Sequence, residues 1–276
     1  MVLNRLRSLS GMAFLEKLFG NEAPRTKPPW AAQILDLDFL MQAAQSTAAV
    51  YAGAMPFPHA VIDGFIGPEM VAQIAREFPA REDHGTWLDY NGSDATGKPL
   101  QHRKYHISDE ERLGPVTQRL MYELKSARFL RVLSALTGID DLIPDALNHG
   151  GGIHMNCRGA MLKIHADFNR HPNWHLDRRL NLLLYLNEGW QLGFGGDLEL
   201  WDARMQACIK RVAPVAGRCV IFSTSSTSFH GHPDPITCPD DVTRKSIALY
   251  YYTNRRPSGD EPVHSTLWQA RPDTAD

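Results

Sequence analysis

The spacing of hydrophobic positions changes near the middle of the chain. In the first half apolar residues recur every three to four positions. Leu3, Leu6, Leu9, Leu15 and Leu18 are followed by Pro24, Pro28 and Pro29, which predicts an amphipathic helix and linker over residues 1–30. Such a helix has three outlets: packing on its own domain, contact with a partner or second copy in a homodimer, or a membrane interface. Residues 33–53 read as another helix, closed by Pro56 and Pro58, and residues 59–65 as a short strand. Gly67-Pro68 opens a further helix with proline at its first position, and Val71, Ile74, Ala75 and Phe78 supply its core-facing stripe. The longest helical pattern runs over 114–137, with Val116, Leu120, Leu124 and Ala127 on one face and Gly138 as the stop. Residues 80–104, rich in Gly, Asp and Asn, hold no period and read as a long loop, either a lid or a plain surface connection.

After Pro144 short β-rich runs replace the helical spacing. They cover 149–156, 160–167, 179–187, 197–201, 208–213, 218–224 and 244–253, with Gly and Pro between them. Many short strands in succession predict a sandwich or barrel. The expected fold is mainly β with supporting helices: helical support over 31–144, a β core over 145–255, and an irregular tail over 256–276.

Composition narrows the function classes. A chain of 276 residues with 43% hydrophobic residues can bury about three quarters of its unfolded surface in one large domain, which excludes global disorder. The formal charge, 29 − 31 = −2, supplies no general attraction to nucleic acid, so no nucleic-acid partner is expected. No apolar run approaches a membrane span, and Glu16 and Lys17 interrupt any signal-peptide core. Cys157, Cys208, Cys219 and Cys238 form no C-x-x-C pair, which fits a reducing, cytoplasmic setting. Seven of the twelve histidines fall between positions 149 and 232, which is where chemistry is to be sought.

The central motif there is His165-Ala166-Asp167. On a strand, residues i and i+2 share a face, so an imidazole and a carboxylate can hold one ion; on a helix they would diverge by about 200°. A third ligand is available 65 residues on, in Ser228-Phe229-His230-Gly231-His232, where His230 and His232 are both within reach. Two histidines and a carboxylate on one face of iron leave three positions open. The same donors with a water also describe a catalytic zinc site, so a zinc-dependent hydrolase stands as an alternative, and a non-catalytic metal-binding β-helix module as another. Arg244 opens the strand 244–253; a guanidinium turned into a barrel needs an anion, and its fork matches a carboxylate. His171 and His175 have helical zinc-site spacing but lack the glutamate beside the first histidine, and are read as loop residues near the entrance. Lys98, Arg103 and Lys104, with Trp87 and Tyr90, either meet an anionic or ring-bearing substrate or belong to a solvated loop.

In order along the chain, Pro56-Phe-Pro-His-Ala-Val-Ile-Asp-Gly-Phe65, His165-x-Asp167, Arg179-Leu-Asn-Leu-Leu-Leu-Tyr-Leu-Asn187, Gly195-Gly-Asp-Leu-Glu-Leu-Trp201, the 214–222 strand region, His230 and Arg244-Lys-Ser resemble the iron(II)- and 2-oxoglutarate-dependent dioxygenases, in their prolyl 4-hydroxylase-like branch. The resemblance covers residues 56–255. It implies a double-stranded β-helix (jelly-roll) core, with His165, Asp167 and His230 as the iron triad and His232 in reserve. It further implies Arg244 as the partner of the distal 2-oxoglutarate carboxylate, with Tyr185 and Asn181 lining the cosubstrate pocket. Iron(II), 2-oxoglutarate and dioxygen are the implied cofactors, with ascorbate as the candidate reductant. The implied reaction hydroxylates an unactivated C–H bond of a peptide, amino acid or other small metabolite and releases succinate and carbon dioxide. The intact Asp167 fits hydroxylation, because related halogenases lack this carboxylate. Where the family often has a tyrosine before the metal motif, this chain reads Met155-Asn-Cys-Arg158 and Met161-Leu162, so the second cosubstrate contact is not assigned.

Overall fold

The computed structural model describes residues 33–83, 87–89, 91–256, 259 and 261–272. The helix and linker expected over 1–30 lie outside these residues. Among the described residues four α-helices fall in the first half of the chain: α1 (Leu37–Ala52), α2 (Pro68–Glu77), α3 (Pro115–Leu124) and α4 (Ala127–Thr137). Asp36 caps α1 by accepting from Phe39 N–H at 2.9 Å, and Leu37, Leu40, Ala44 and Tyr51 form its buried stripe. The Glu77 carboxylate, at the end of α2, caps the next helix through Val116 N–H at 3.1 Å and Thr117 N–H at 2.8 Å. Among the described residues no helix is long and apolar enough to cross a membrane.

The single helix expected over 114–137 is two. Ser126 takes an extended backbone, donates its hydroxyl to Glu123 O at 2.7 Å and accepts from Phe129 N–H at 3.3 Å, so a local N-cap starts α4 where the apolar spacing alone ran on. Gly138 does end it, in the left-handed region at φ 68°.

The strands are β1 (His59–Ile62), β2 (Leu88–Asp89), β3 (Gly92–Ser93), β4 (Pro99–Ile107), β5 (Ile143–Pro144), β6 (Gly152–Ala166), β7 (Asp177–Tyr185), β8 (Leu198–Trp201), β9 (Cys208–Val212), β10 (Cys219–Ser223), β11 (His230–His232), β12 (Arg244–Thr253) and β13 (Leu267–Trp268). The main path is β1-β10-β7-β12-β6-β11-β8-β9, and its ladders are antiparallel. The result is a nearly closed jelly roll, as expected. β6 joins its two sheets: Gly152–Asn156 pairs with β12, whereas Leu162 and His165 pair with β11. The runs 149–156 and 160–167 are therefore one long strand.

Two other expectations are corrected. The loop over 80–104 contains β2, β3 and the first part of β4, which lies along β6 from Gln101↔Leu162 to Ile107↔Ile153. Its hydrophobic alternation is hidden because the face turned to the barrel interior carries Lys104 and His106, while Ile107 on the other face joins the core. Trp87 belongs to that core too, beside Phe78, rather than to a substrate surface. The tail over 256–276 contains β13, a strand too short to show a period, which pairs Trp268 with His165.

Helices and sheet share one core on the outer face of the larger sheet, where Leu180, Leu182, Leu184, Ile221, Ile247 and Leu249 meet Leu120, Phe129 and Leu133. Tyr251 ties the layers by donating to Leu124 O at 3.0 Å. On the inner face Leu198, Leu200, Val212, Val220 and Phe222 fill part of the barrel with apolar side chains. The remainder of the interior is polar.

Candidate active site

Strand register dictates which side chains enter that polar interior, since residues directly opposite one another on paired strands share a face. Lys104, Asn156 and Arg244 form one row across β4, β6 and β12. His106, His154, Ser246 and Tyr185 form the next row, extending to β7. Asn181 lies opposite Tyr250 farther along. On the smaller sheet His230 faces His165 and His232 faces Leu162, with one additional residue on β6 between the pairs. That irregularity turns the odd-numbered His165 and Asp167 into a cavity already lined by the even-numbered His154 and Asn156.

At one end His165, Asp167 and His230 bring their ligand atoms within 4.8 Å of one another. His165 Nδ1 donates to Lys163 O at 2.8 Å and His230 Nδ1 to Ser228 O at 2.9 Å. A carbonyl only accepts, so each Nδ1 carries the proton and each Nε2 offers a lone pair to the same point. The Nε2 atoms lie 3.6 and 3.4 Å from the Asp167 oxygens. Burial, aided by neighbouring His165, pushes the His230 pKa down to about 4, keeping the ring neutral. Burial opposes ionisation of Asp167, but the Arg178 guanidinium, 3.0 Å from its Oδ2, overcomes it and holds the carboxyl well below the usual range. Neutral imidazoles with an ionised carboxylate are the protonation states a divalent cation requires. Phe222 packs edge-on to His230 at 4.8 Å and Trp268 lies 5.0 Å from His165, which fixes both rings.

At the other end Arg244 is buried, with Nε donating to Gly196 O at 2.9 Å and Nη2 to the Tyr185 hydroxyl at 3.4 Å. Gly196 has φ 73°, and a Cβ there would lie 3.1 Å from Arg244 Cδ, so a side chain would crowd the guanidinium. Among the described residues no carboxylate lies within ion-pair distance of Arg244. Among the described residues, three atoms of the cavity lining, His154 Nε2, Asn156 Oδ1 and His232 Nδ1, are buried without hydrogen-bond partners. Such atoms carry a desolvation cost that a polar ligand would relieve. The interior therefore suits a metal ion at one end and a carboxylate at the other.

The scan of protein families matches residues 151–252 to the 2OG-Fe(II) oxygenase superfamily. Prolyl 3-hydroxylase OGFOD1 of Mus musculus is 26% identical over 202 residues, which is 71% of this chain and 33% of that protein. The chain thus aligns with about a third of the length of this relative. A prolyl hydroxylase from Trichoplax adhaerens shares the fold at TM-score 0.54 and 16% identity, covering 82% of this chain and 94% of the other. A Pseudomonas putida prolyl-4-hydroxylase does so at 0.50 and 20%, covering 78% and 99%. The fold is accordingly that of these prolyl hydroxylase structures, with the family match lying over 151–252.

The structure places the expected residues as follows. His165, Asp167 and His230 converge at the metal end, and Arg244 and Tyr185 sit together at the far end. Asn181 lines the cavity, but its amide donates to Asp167 Oδ2 at 2.7 Å, so it also holds the carboxylate. His232 lines the cavity without joining the convergent set. His171 is buried, stacked on Trp174 at 4.3 Å, and accepts at Nδ1 from Asn173 and Trp174 N–H, which makes it a structural residue. Arg103 is exposed and donates to Arg158 O, whereas Lys104 enters the cavity. Tyr90 lies outside the described residues.

One contributor was not legible in the sequence. Arg178 places Nη2 3.0 Å from Asp167 Oδ2, donates from Nε to Asn181 Oδ1 at 2.9 Å, and lies under the Tyr250 ring at 3.5 Å. Strict alternation along β7 would send Arg178 outward with Leu180, Leu182 and Leu184. A bulge there, with Leu180 opposite Tyr251 but Arg178 opposite Tyr252, turns it inward instead.

Proposed function

We propose that His165, Asp167 and His230 hold iron(II), that Arg244 with Tyr185 receives the distal carboxylate of 2-oxoglutarate, and that the substrate is a prolyl residue in a peptide. The observation that carries this reading is the pairing, within one cavity, of three convergent ligand atoms with a buried guanidinium that has no carboxylate partner among the described residues. A zinc hydrolase would leave Arg244 without a role. The prolyl substrate is supported by the similarity to a mouse prolyl 3-hydroxylase.

When bound, iron(II) supplies the oxidising chemistry that couples cosubstrate decarboxylation to C–H hydroxylation. The chain's own residues prepare the place. Carbonyls of Lys163 and Ser228 fix the imidazole tautomers, and Arg178 and Asn181 occupy Asp167 Oδ2 so that the carboxylate cannot swing. Leu162, Leu183 and Leu198 line the cavity and limit water beside the metal end. A cytoplasmic, reducing location fits Cys157, Cys208, Cys219 and Cys238, all free thiols.

The test is to load the protein with iron(II) and 2-oxoglutarate in air and offer proline-containing peptides, following succinate and the gain of one oxygen atom by mass. Succinate formation coupled to hydroxylation at proline supports the reading. Coupled hydroxylation only of a free amino acid or another metabolite would overturn the substrate class while keeping the site.

A further inference from the structure

Two of the three ligands stand where the chain leaves the strand ladders. Asp167 lies one residue past the end of β6, and His230 is the first residue of β11, a strand of three residues. Chain without ladder bonds must be ordered before its ligands can converge, and that ordering costs conformational entropy. Both departing segments are tied to one stretch, 261–269. Beyond Asp167, the buried Asn169 side chain donates to Pro262 O at 2.8 Å and accepts from His264 N–H at 3.0 Å. Ahead of His230, the Ser226 hydroxyl donates to the Glu261 carboxylate and lies 2.9 Å from His264 Nε2. The His264 ring is oriented from its other side, where Nδ1 donates to Ser265 O at 2.8 Å. His264 thus reaches the Asp167 segment through its backbone and the His230 segment through its ring. The same stretch ends in β13, which sets Trp268 against His165.

From this geometry we propose that His264 is a positioning residue for the metal triad, holding the Asp167 and His230 segments at the spacing iron(II) requires. The inference rests on the iron assignment made above. The path to His230 is continuous. Ser226 belongs to the turn 225–228, which the Ser228 hydroxyl closes by donating to Ser225 O and accepting from Ser225 N–H, both at 2.9 Å. Ser228 O then receives His230 Nδ1–H, so holding Ser226 holds the carbonyl that orients the ligand. On the other side Asn169 O accepts from Arg178 N–H at 2.9 Å, which carries the tie to the residue whose guanidinium meets Asp167. His264 is not among the residues lining the cavity, so it acts through the ligand segments rather than on a substrate. Groups that orient metal ligands add to metal affinity without touching the ion.

The experiment compares metal affinity with stability in the full chain. Iron(II) affinity is read anaerobically by chelator competition, well below the thermal midpoint. His264→Ala should weaken iron(II) binding roughly 3- to 10-fold, and His264→Gln, whose amide can meet Ser226, should restore it to within about twofold of wild type. Ser226→Ala removes the same bond from the other side and should lose affinity by a similar factor, with little further loss in the double variant. Val263→Ala, at an exposed neighbouring position, should bind iron(II) as wild type does. A lowered midpoint with the affinity of folded His264→Ala unchanged would mark a merely structural tie and overturn the inference. Losses that multiply in the double variant, or no recovery in His264→Gln, would overturn it too. If His264→Ala does not fold, Ser226→Ala is held to the same requirement of weakened iron(II) binding. Failure of the wild-type protein to bind iron(II) would instead overturn the site assignment, and this inference with it.

Discussion

Glu123 in the helical layer and Asp167 in the barrel are both carboxylates removed from bulk water, and their partners differ in kind. Glu123 receives Ile34 N–H at 3.1 and 3.0 Å on its two oxygens, Leu35 N–H at 2.9 Å, and Arg119 Nε at 2.9 Å. Every partner is a donor, and together they pin the start of the described chain to α3. Among the described residues Asp167 has donors on Oδ2 alone, from Arg178 and Asn181, while the unprotonated Nε2 atoms of His165 and His230 point toward it rather than donating. Lone pairs facing one another make sense only around a cation. Saturation marks a group whose role is stability; convergent unsatisfied acceptors mark one whose role is binding.

Substitutions can break this contrast. Asp167→Ala should carry the largest effect, reducing succinate formation below detection in a coupled assay while leaving the thermal midpoint close to wild type. Glu123→Ala should do the reverse. It strands the Ile34 and Leu35 N–H groups and should cost about 3 kcal/mol in urea denaturation, with iron binding by the folded fraction unchanged. Arg178→Met tests whether the partner of a ligand matters as much as the ligand: iron(II) affinity should fall roughly 10- to 100-fold, read by chelator competition. Tyr251→Phe, which removes the hydroxyl bound to Leu124 O, should cost about 1 kcal/mol with no change in iron affinity.

A smaller effect should appear with pH. Burial first, then the Lys104 charge, lowers the His106 pKa to about 4 in the folded protein, whereas the unfolded chain titrates near 6.5. Above pH 6.5 both states are neutral at this residue and its contribution to stability is full. Between 6.5 and about 4 only the unfolded state gains the proton, so stability falls as pH falls. The urea midpoint should drop across that window, and drop less in His106→Gln.

The same contrast explains what sequence could and could not disclose. The metal motif was legible because strand geometry places i and i+2 on one face, and Arg244 because a guanidinium opening a buried strand calls for an anion. The outer core was legible from Leu180, Leu182 and Leu184, whose alternation is regular. Arg178 was hidden by a bulge that reverses alternation at one residue. β4 was hidden because its inward face is Lys104 and His106, a polar pattern indistinguishable from a loop until the cavity it lines is seen. The break between α3 and α4 was hidden because a serine cap left the apolar spacing almost undisturbed. In each case the missing information was tertiary: which strand lies opposite, and what stands across the lumen.

The central claim is that His165, Asp167 and His230 together hold iron(II) that 2-oxoglutarate then chelates. Its most direct test is anaerobic titration of the wild-type protein and of His165→Ala, Asp167→Ala and His230→Ala with iron(II) and 2-oxoglutarate, following the visible chelate absorption. The account predicts a saturable band at one iron per chain in the wild type and its loss in each variant, with each variant still folded by circular dichroism. A band of undiminished strength in any of the three folded variants, or none in the wild type with iron bound, would contradict it.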